Sequence, residues 1–475
     1  MSHPLTTLAI DLGAESGRVM AVHFDGNHLA IEELHRFPNT TVTVHGTLHW
    51  DFLRLWSDIQ AGIEKGRALH PASLGVDTWG VDFGLLDGSG RLIGNPVHYR
   101  DRRTEGMMEK VFARVPRAEV FAQTGIQFMS INTLYQIMSL VESPQLSIAQ
   151  TFLTAPDLLN YWLTGAKVCE FSNTTTTQMF NPVTGTWATP LLEQLGIPTH
   201  IFPEIVQPGT RLGTYAGIPV IAPACHDTGS AVAAMPARTL HAGYISSGTW
   251  SLAGLEMPHP ILTPDALAAN VTNEGGVNGT YRLLKNVMGL WIIQQCRATW
   301  QAEGHAYSYA ELVQLAEANL PFKCVLNVND PVFLSPGDHP TRIREFCVRT
   351  RQPIPETPGE IVRTVLEGLA LAYRDVFEKL TALANRSVDV IHILGGGSQN
   401  VLLNQMTADA TGKPVLAGPV EATVLGNALV QLIALGEIGS LAEARQLVAQ
   451  MDGMRYFTPN ASPKWDEAFE KNIFG

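Results

Sequence analysis

At 475 residues the chain is too long for one compact core and suits two domains, each able to bury its own interior. Hydrophobic residues make up 45% and charged residues only 16%, which argues against extensive disorder. The formal net charge of −12 and the lack of a basic patch argue against a nucleic-acid partner. A polyanion would have to be met by backbone N–H groups, a helix N-terminus or Mg2+.

The first elements read as a β-meander. Residues 5–13, 17–26 and 29–37 are apolar or alternating runs separated by Gly, Asp and Asn turns. Residues 50–69 then take helical spacing through Phe52, Leu55, Trp56, Ile59 and Ile63, with Asp51 placed as N-cap. Strand character returns over 72–92. Hairpins followed by a crossover helix predict a mixed sheet covered by helices. The stretch from Asn132 to about Leu195 reads as mostly helical. An apolar strand, "GIPVIAPA", leads through Cys225-His226-Asp227 into a small-residue helix. A second hairpin, "AGYISSGTWSLAGLE", mirrors the first and sets a domain boundary near residue 240, giving domains 1–239 and 240–475. A long helix follows Pro358, then the strand "VDVIHILGGG", a helix from Gln399, a short strand "KPVLAG" and a last helix, "EATVLGNALVQLIALG".

The five cysteines (Cys169, Cys225, Cys296, Cys324, Cys347) are scattered and form no CxxC pair, as expected of reduced thiols rather than a disulfide set or a zinc site. There is no basic-apolar leader and no apolar run of membrane-spanning length. The expectation is a soluble cytoplasmic protein with no membrane partner.

Five stretches carry chemistry, each with a plain structural alternative. "AIDLGAESGRVM" has neither the Lys of a P-loop nor the helix that must follow a dinucleotide turn. It is either an ordinary hairpin or a turn whose N–H groups, from Ala14 through Glu15, Ser16 and Gly17 to Arg18, face phosphate oxygens. In the second case Asp11 would hold Mg2+ through water. In "ACHDTGSAV", Asp227 either caps the following helix or accepts a proton from a substrate hydroxyl, with the helix N-terminus favouring its ionised form. "SSGT" at 246–249 is a hydroxyl- and glycine-rich turn suited to phosphates. Gly395–Gly397 would let a flat ring lie against backbone, though such triplets also occur in empty turns. "GVDTWGVDFG" sets Asp77, Trp79, Gly80 and Asp82 at a turn that suits a sugar face or a core Trp equally. No metal-spaced histidines, serine-hydrolase elbow or aromatic-basic stripe competes with these.

Taken in order, these turns resemble the actin-like ATPases, and within them the FGGY family of carbohydrate kinases. "YRDRRT", "TGIQFMSINTLYQ", "SNTTTTQ", "NVTNEGGVNGTYRLLKNVMGLWIIQ" and "LGGGSQNVLLNQMTADATG" narrow the resemblance further, and it runs from residue 9 to about 435. The resemblance implies two actin-like (ribonuclease H-like) α/β domains, mixed sheets flanked by helices, and an active-site cleft between the domains. It implies ATP-dependent, Mg2+-assisted phosphorylation of L-rhamnulose at its 1-hydroxyl, with Asp227 as general base. Gly80, His226, Thr228 and Asn286 would line the sugar site, with Trp79 and Arg100 added on their chemistry. The nucleotide side would be Ala14 to Arg18, Thr249, Gln294 and Gly396. L-fuculose, another ketose or autoinducer-2 are alternative substrates, and a non-catalytic actin-like module is the alternative of a different class. The partner is a small-molecule ketose, and the chain is expected as a monomer or small homo-oligomer. Glu15 departs from the Ser or Thr common in relatives; it could repel the γ-phosphate, help hold Mg2+ or point away and pair with Arg18, and the last two are favoured over repulsion.

Overall fold

The computed structural model describes residues 4–471, which divide into two compact units. In chain order the elements that position the site begin with β1 (Leu5–Leu12), β2 (Ser16–Phe24), β3 (Leu29–Pro38), α1 (Phe52–Arg67), β4 (Ser73–Thr78), β5 (Arg211–Tyr215), β6 (Ile218–Ile221) and α2 (Asp227–Ala233). They continue with β7 (Ala242–Ser247), β8 (Trp250–Met257), β9 (Tyr281–Met288), α3 (Trp291–Ala302), α4 (Pro358–Ala384), β10 (Val390–Leu394), α5 (Val401–Thr411), β11 (Val415–Ala417), α6 (Ala422–Ala434) and β12 (Arg455–Phe457).

The first unit takes in the chain to Pro236 together with Glu256–Leu283 and Ala422–Asp452. Two segments beyond residue 240 therefore belong with the N-terminal half, the first bounded by points within β8 and β9 and the second opening with α6. The sheet order is β5-β6-β4-β1-β2-β3. β1 is antiparallel to β2 and parallel to β4, so a hairpin and a crossover meet on one strand. Both faces of β1 are covered. Ala9 joins a core cluster with Val424, Leu425, Ala428 and Leu429 of α6. Leu8 meets α1, where a Cβ on Gly66 would stand 2.8 Å from its Cδ2. α1 begins where the sequence places it, with the Asp51 carboxylate accepting from Arg54 N–H at 3.2 Å.

The stretch from 132 to 195 is mostly helical, as expected, but strands are interleaved in it. Short helices such as Thr133–Met138 and Ala155–Thr164 alternate with strands at Thr151–Thr154, Val168–Glu170, Phe180–Asn181 and Thr186–Trp187. Thr151–Thr154 pairs antiparallel with Phe83–Leu86, some 70 residues earlier in the chain. Such non-local pairing leaves no periodic signal in its own segment.

The second unit comprises Ala237–Leu255, Leu284–Glu421 and the chain from Gly453. In its seven-stranded sheet β9-β8-β7-β10-β11-β12 are successive neighbours, with β7 antiparallel to β8 and parallel to β10. That repeats the arrangement of β1 with β2 and β4. α4 opens with a capping box between Thr357 and Glu360 and with Pro358 in its first turn. α6 is not the last helix: Leu441–Ala449 and Pro463–Phe469 follow, each started by a Ser N-cap. Among the described residues no helix is long and apolar enough to cross a membrane.

Candidate active site

In the first unit the segment before α2 is held by buried side chains. Glu170 accepts from the backbone N–H of Ser172, Asn173 and Cys225, and from Ser172 Oγ at 2.6 Å. Ser172 Oγ in turn accepts from His226 N–H at 3.1 Å. Thr78 N–H at the end of β4 donates to Cys225 O. Asp227 is thus the first residue of a helix whose entry is fixed on both sides.

The Asp227 carboxylate accepts from Thr228 N–H at 2.5 Å and Thr228 Oγ1 at 3.3 Å, and His226 Nε2 lies 3.3 Å from the same oxygen. Its side chain keeps 29% exposure, yet burial is the leading influence and raises its pKa. The Asp11 charge adds to that rise, while His226 and the Thr228 donors oppose it. The Thr228 N–H in the first turn of α2 favours the ionised form, as expected, and burial outweighs it.

Gly80 comes against this cluster, since a Cβ there would stand 3.3 Å from His226 Nε2 and 3.1 Å from Thr176 Oγ1. The next residue, Val81, has φ +69°, a costly conformation for a β-branched side chain. Thr133 Oγ1 and Gln136 Nε2 hold its carbonyl at 2.6 and 3.1 Å, and Thr176 Oγ1 accepts its N–H. Trp79 is buried beneath this turn, with its Nε1 donating to Asp82 at 2.9 Å and its ring 4.2 Å from that of Trp50. These contacts support the turn from the core side. Burial pushes the Asp82 carboxyl up to about 6. Arg100 lies over the Tyr99 ring, and its backbone N–H donates to His98.

The β1–β2 turn is closed by Gly13 N–H to Ser16 O at 2.9 Å. Gly17 is required by contact, because a Cβ there would stand 2.3 Å from the Phe37 ring. Arg18 donates through Nε and Nη2 to Asp11 Oδ2 at 2.9 and 2.6 Å. Asp11 also faces Asp77 in the β1–β4 register. Asp77 is wholly buried; its Oδ2 accepts from Asn427 Nδ2 at 2.6 Å, and its Oδ1 has no hydrogen-bond donor. Burial, then the Asp11 charge, holds its carboxyl well above the usual range.

Two residues missed in the sequence complete this cluster. Glu274, on the strand Thr272–Gly275, and Arg282, on β9, are buried behind His226. Arg282 Nη2 lies 3.0 Å from His226 Nδ1 and 3.3 Å from Glu274 Oε2. The hint was an acid and an arginine flanking "GGVNGTY", read only as part of a family segment.

In the second unit, Thr249 and Gln294 come together through Gln294 Nε2 and Thr249 Oγ1 at 3.4 Å. Leu290 and Trp291, at the start of α3, donate to Gly248 O and Thr249 O. Gly395 has φ +83°, and a Cβ on Gly397 would stand 2.0 Å from Ser247 Oγ, so the triplet packs on the β7–β8 turn. Gly396 faces open space. Asn286 is half-buried on β9.

Two α/β units with mixed sheets, one carrying an acidic cluster and the other hydroxyl- and glycine-rich turns, have the architecture of the actin-like fold. The chain matches the model described as "FGGY family of carbohydrate kinases, N-terminal domain" over residues 6–225, and its C-terminal counterpart over 243–435. It is 43% identical over 477 residues to a rhamnulokinase of Bacteroides thetaiotaomicron, covering 97% of each chain. It is also 43% identical over 466 residues to a rhamnulokinase of Pectobacterium carotovorum, covering 96% of this chain and 93% of that one. A solved xylulose kinase from Lactobacillus acidophilus shares the fold at TM-score 0.77 and 16% identity, with 98% and 96% of the two chains covered. A Plasmodium falciparum glycerol kinase solved with ADP gives TM-score 0.78 at 16% identity, with 99% of each chain covered. The chain belongs to the FGGY family of carbohydrate kinases, which use ATP to phosphorylate sugars.

Proposed function

We propose that this kinase phosphorylates L-rhamnulose at its 1-hydroxyl. The reading is carried by the placement of Asp227 with His226, Thr228 and Gly80, and is supported by near-full-length identity to proteins named rhamnulokinase. Asp227 Oδ1 would take the proton of the 1-hydroxyl as that oxygen bonds to the γ-phosphorus of ATP, and the bond from phosphorus to the bridging oxygen breaks to release ADP. The raised pKa of Asp227 suits a base that must receive a proton near neutrality. Gly80, His226, Thr228 and Asn286 would bind the sugar, and Arg100 is a candidate at its edge. Ala14 to Arg18, Thr249, Gln294 and Gly396 would bind the nucleotide.

Mg2+ fits the first unit: Asp11 and Asp77 supply hard oxygen donors, and one buried Asp77 oxygen has no hydrogen-bond donor. When bound, the ion would neutralise phosphate charge.

An ADP-release assay across L-rhamnulose, L-fuculose, other ketoses and autoinducer-2 tests the substrate. L-Rhamnulose ranking below another acceptor in kcat/KM would overturn the assignment. Asp227→Asn is expected to remove transfer while ATP binding stays within about twofold. Full turnover in that variant would exclude Asp227 as the base.

A further inference from the structure

The geometry points to Arg282 and Glu274 as positioning residues that hold His226 in one neutral tautomer, with its proton on Nε2, the ring nitrogen that lies 3.3 Å from Asp227 Oδ1. What that proton acts on rests on the kinase reading above, whereas the tautomer does not.

Arg282 is wholly buried, and its Nη2 stands 3.0 Å from His226 Nδ1. A guanidinium has donors and no acceptor, so a hydrogen bond there requires Nδ1 to present its lone pair. Arg282 cannot turn away, because its Nε donates to Gly275 O at 2.9 Å. Glu274 Oε2 also approaches Nδ1, at 3.4 Å, and alone would favour a proton on that nitrogen. It lies farther off than the arginine, and at 3.3 Å from Nη2 it is placed to balance the buried guanidinium charge. A proton on Nδ1 would meet an Arg282 N–H head-on.

With Nδ1 occupied as acceptor, the single proton of the neutral ring lies on Nε2. That atom is 3.3 Å from Asp227 Oδ1 and is the ring atom nearest a Cβ built on Gly80. His226 therefore offers the site a donor only. It cannot remove a proton from an acceptor hydroxyl, which leaves that task to Asp227. Its Nε2–H selects sugars with an oxygen lone pair beside the reacting hydroxyl, such as a neighbouring carbonyl or hydroxyl.

The test is a long-range 1H–15N correlation on the full chain labelled at histidine, with His226 assigned by the cross-peaks lost in His226→Gln. The expected result at neutral pH is a pyrrole-type Nε2 and a pyridine-type Nδ1. A proton on Nδ1, alone or together with Nε2, overturns the proposal. Arg282→Met is expected to give a mixture of tautomers and to raise the sugar KM about tenfold at unchanged ATP KM, with Arg282→Lys restoring both. An unaltered tautomer in Arg282→Met also overturns it. Should that variant not fold, the wild-type spectrum decides. The expected spectrum from a protein that phosphorylates no ketose would support the tautomer and overturn the substrate reading alone.

Discussion

Asn427 Nδ2 donates to Asp77 Oδ2 at 2.6 Å, joining residues 350 positions apart in the chain. The bond is one end of a buried ladder that fastens α6 to β1 and β4. Asn427 Oδ1 accepts from Gln431 Nε2 at 2.6 Å, that nitrogen also donates to Leu8 O, and Gln431 Oε1 accepts from Ser73 Oγ at 2.7 Å. Every side chain in it is fully buried, so a lost partner is not replaced by bulk water. Asn427→Leu strips Asp77 of its donor and is expected to cost roughly 2–4 kcal/mol in urea denaturation. A change within about 0.5 kcal/mol would show that the ladder contributes nothing measurable.

The same helix makes a closer demand at Gly426. A Cβ there would fall 1.7 Å from Ser230 O in α2, a backbone atom with no rotamer to yield. Relief requires α2 to move, and α2 begins at Asp227. Gly426→Ala is therefore expected to lower kcat by about 100-fold or more, along with thermal stability. The check is steady-state kinetics beside a thermal melt. Wild-type values in both would mean that the helices slide apart without disturbing the base.

How much of this the sequence made legible depended on the range of the signal. β1 to β3, α1 with its Asp51 cap, and α4 with its capping box announce themselves in local periodicity and turn chemistry. Asp227, His226 and Gly80 were found because short motifs carry them, and the structure brings all three together. Arg282 and Glu274 escaped because a buried ion cluster assembled over 56 positions has no motif of its own. Trp79 is ambiguous for a physical reason: indole beside acids suits a sugar or a core carboxylate, and its Nε1 meets Asp82 at 2.9 Å. The strand pairing of Thr151–Thr154 was lost in the same way, because its partner lies far back in the chain.

Asp157 sets a pH dependence of stability. It is fully buried, accepts from Thr154 Oγ1 and from Glu170 N–H, and has its carboxyl pushed up from 3.8 to about 8, chiefly by burial. The folded state therefore holds this proton where the unfolded chain has released it. The stabilisation is complete below the unfolded value and is lost as pH rises through the folded one. Glu170 and Asp82, each raised to about 6, act in the same direction over a narrower range. Urea unfolding at about pH 5 and about pH 8 should show lower stability at the higher pH, by up to roughly 1 kcal/mol per unit from Asp157. Asp157→Asn should flatten that slope. An unchanged slope in the variant would place the titration elsewhere.

Gly396 and Gly397 are adjacent, yet they separate ligand binding from packing. At Gly397 an added Cβ would meet Ser247 Oγ at 2.0 Å and Ser247 O at 3.0 Å, so Gly397→Ala strains the β7–β8 turn whether or not nucleotide is bound. At Gly396 nothing stands within 4 Å, so the folded chain should accept Ala there. If Gly396 leaves its side open for the nucleotide, Gly396→Ala should raise the ATP KM by about tenfold while the melting temperature moves by only about 1 °C. Gly397→Ala should raise the ATP KM and lower the melting temperature as well. An ATP KM unchanged in Gly396→Ala, with the fold intact, would remove Gly396 from the nucleotide site. The sugar KM serves as the internal control, since Gly396 lies in the second unit while the proposed sugar residues Gly80, His226 and Thr228 lie in the first, and only Asn286 of that proposed set shares the unit of Gly396.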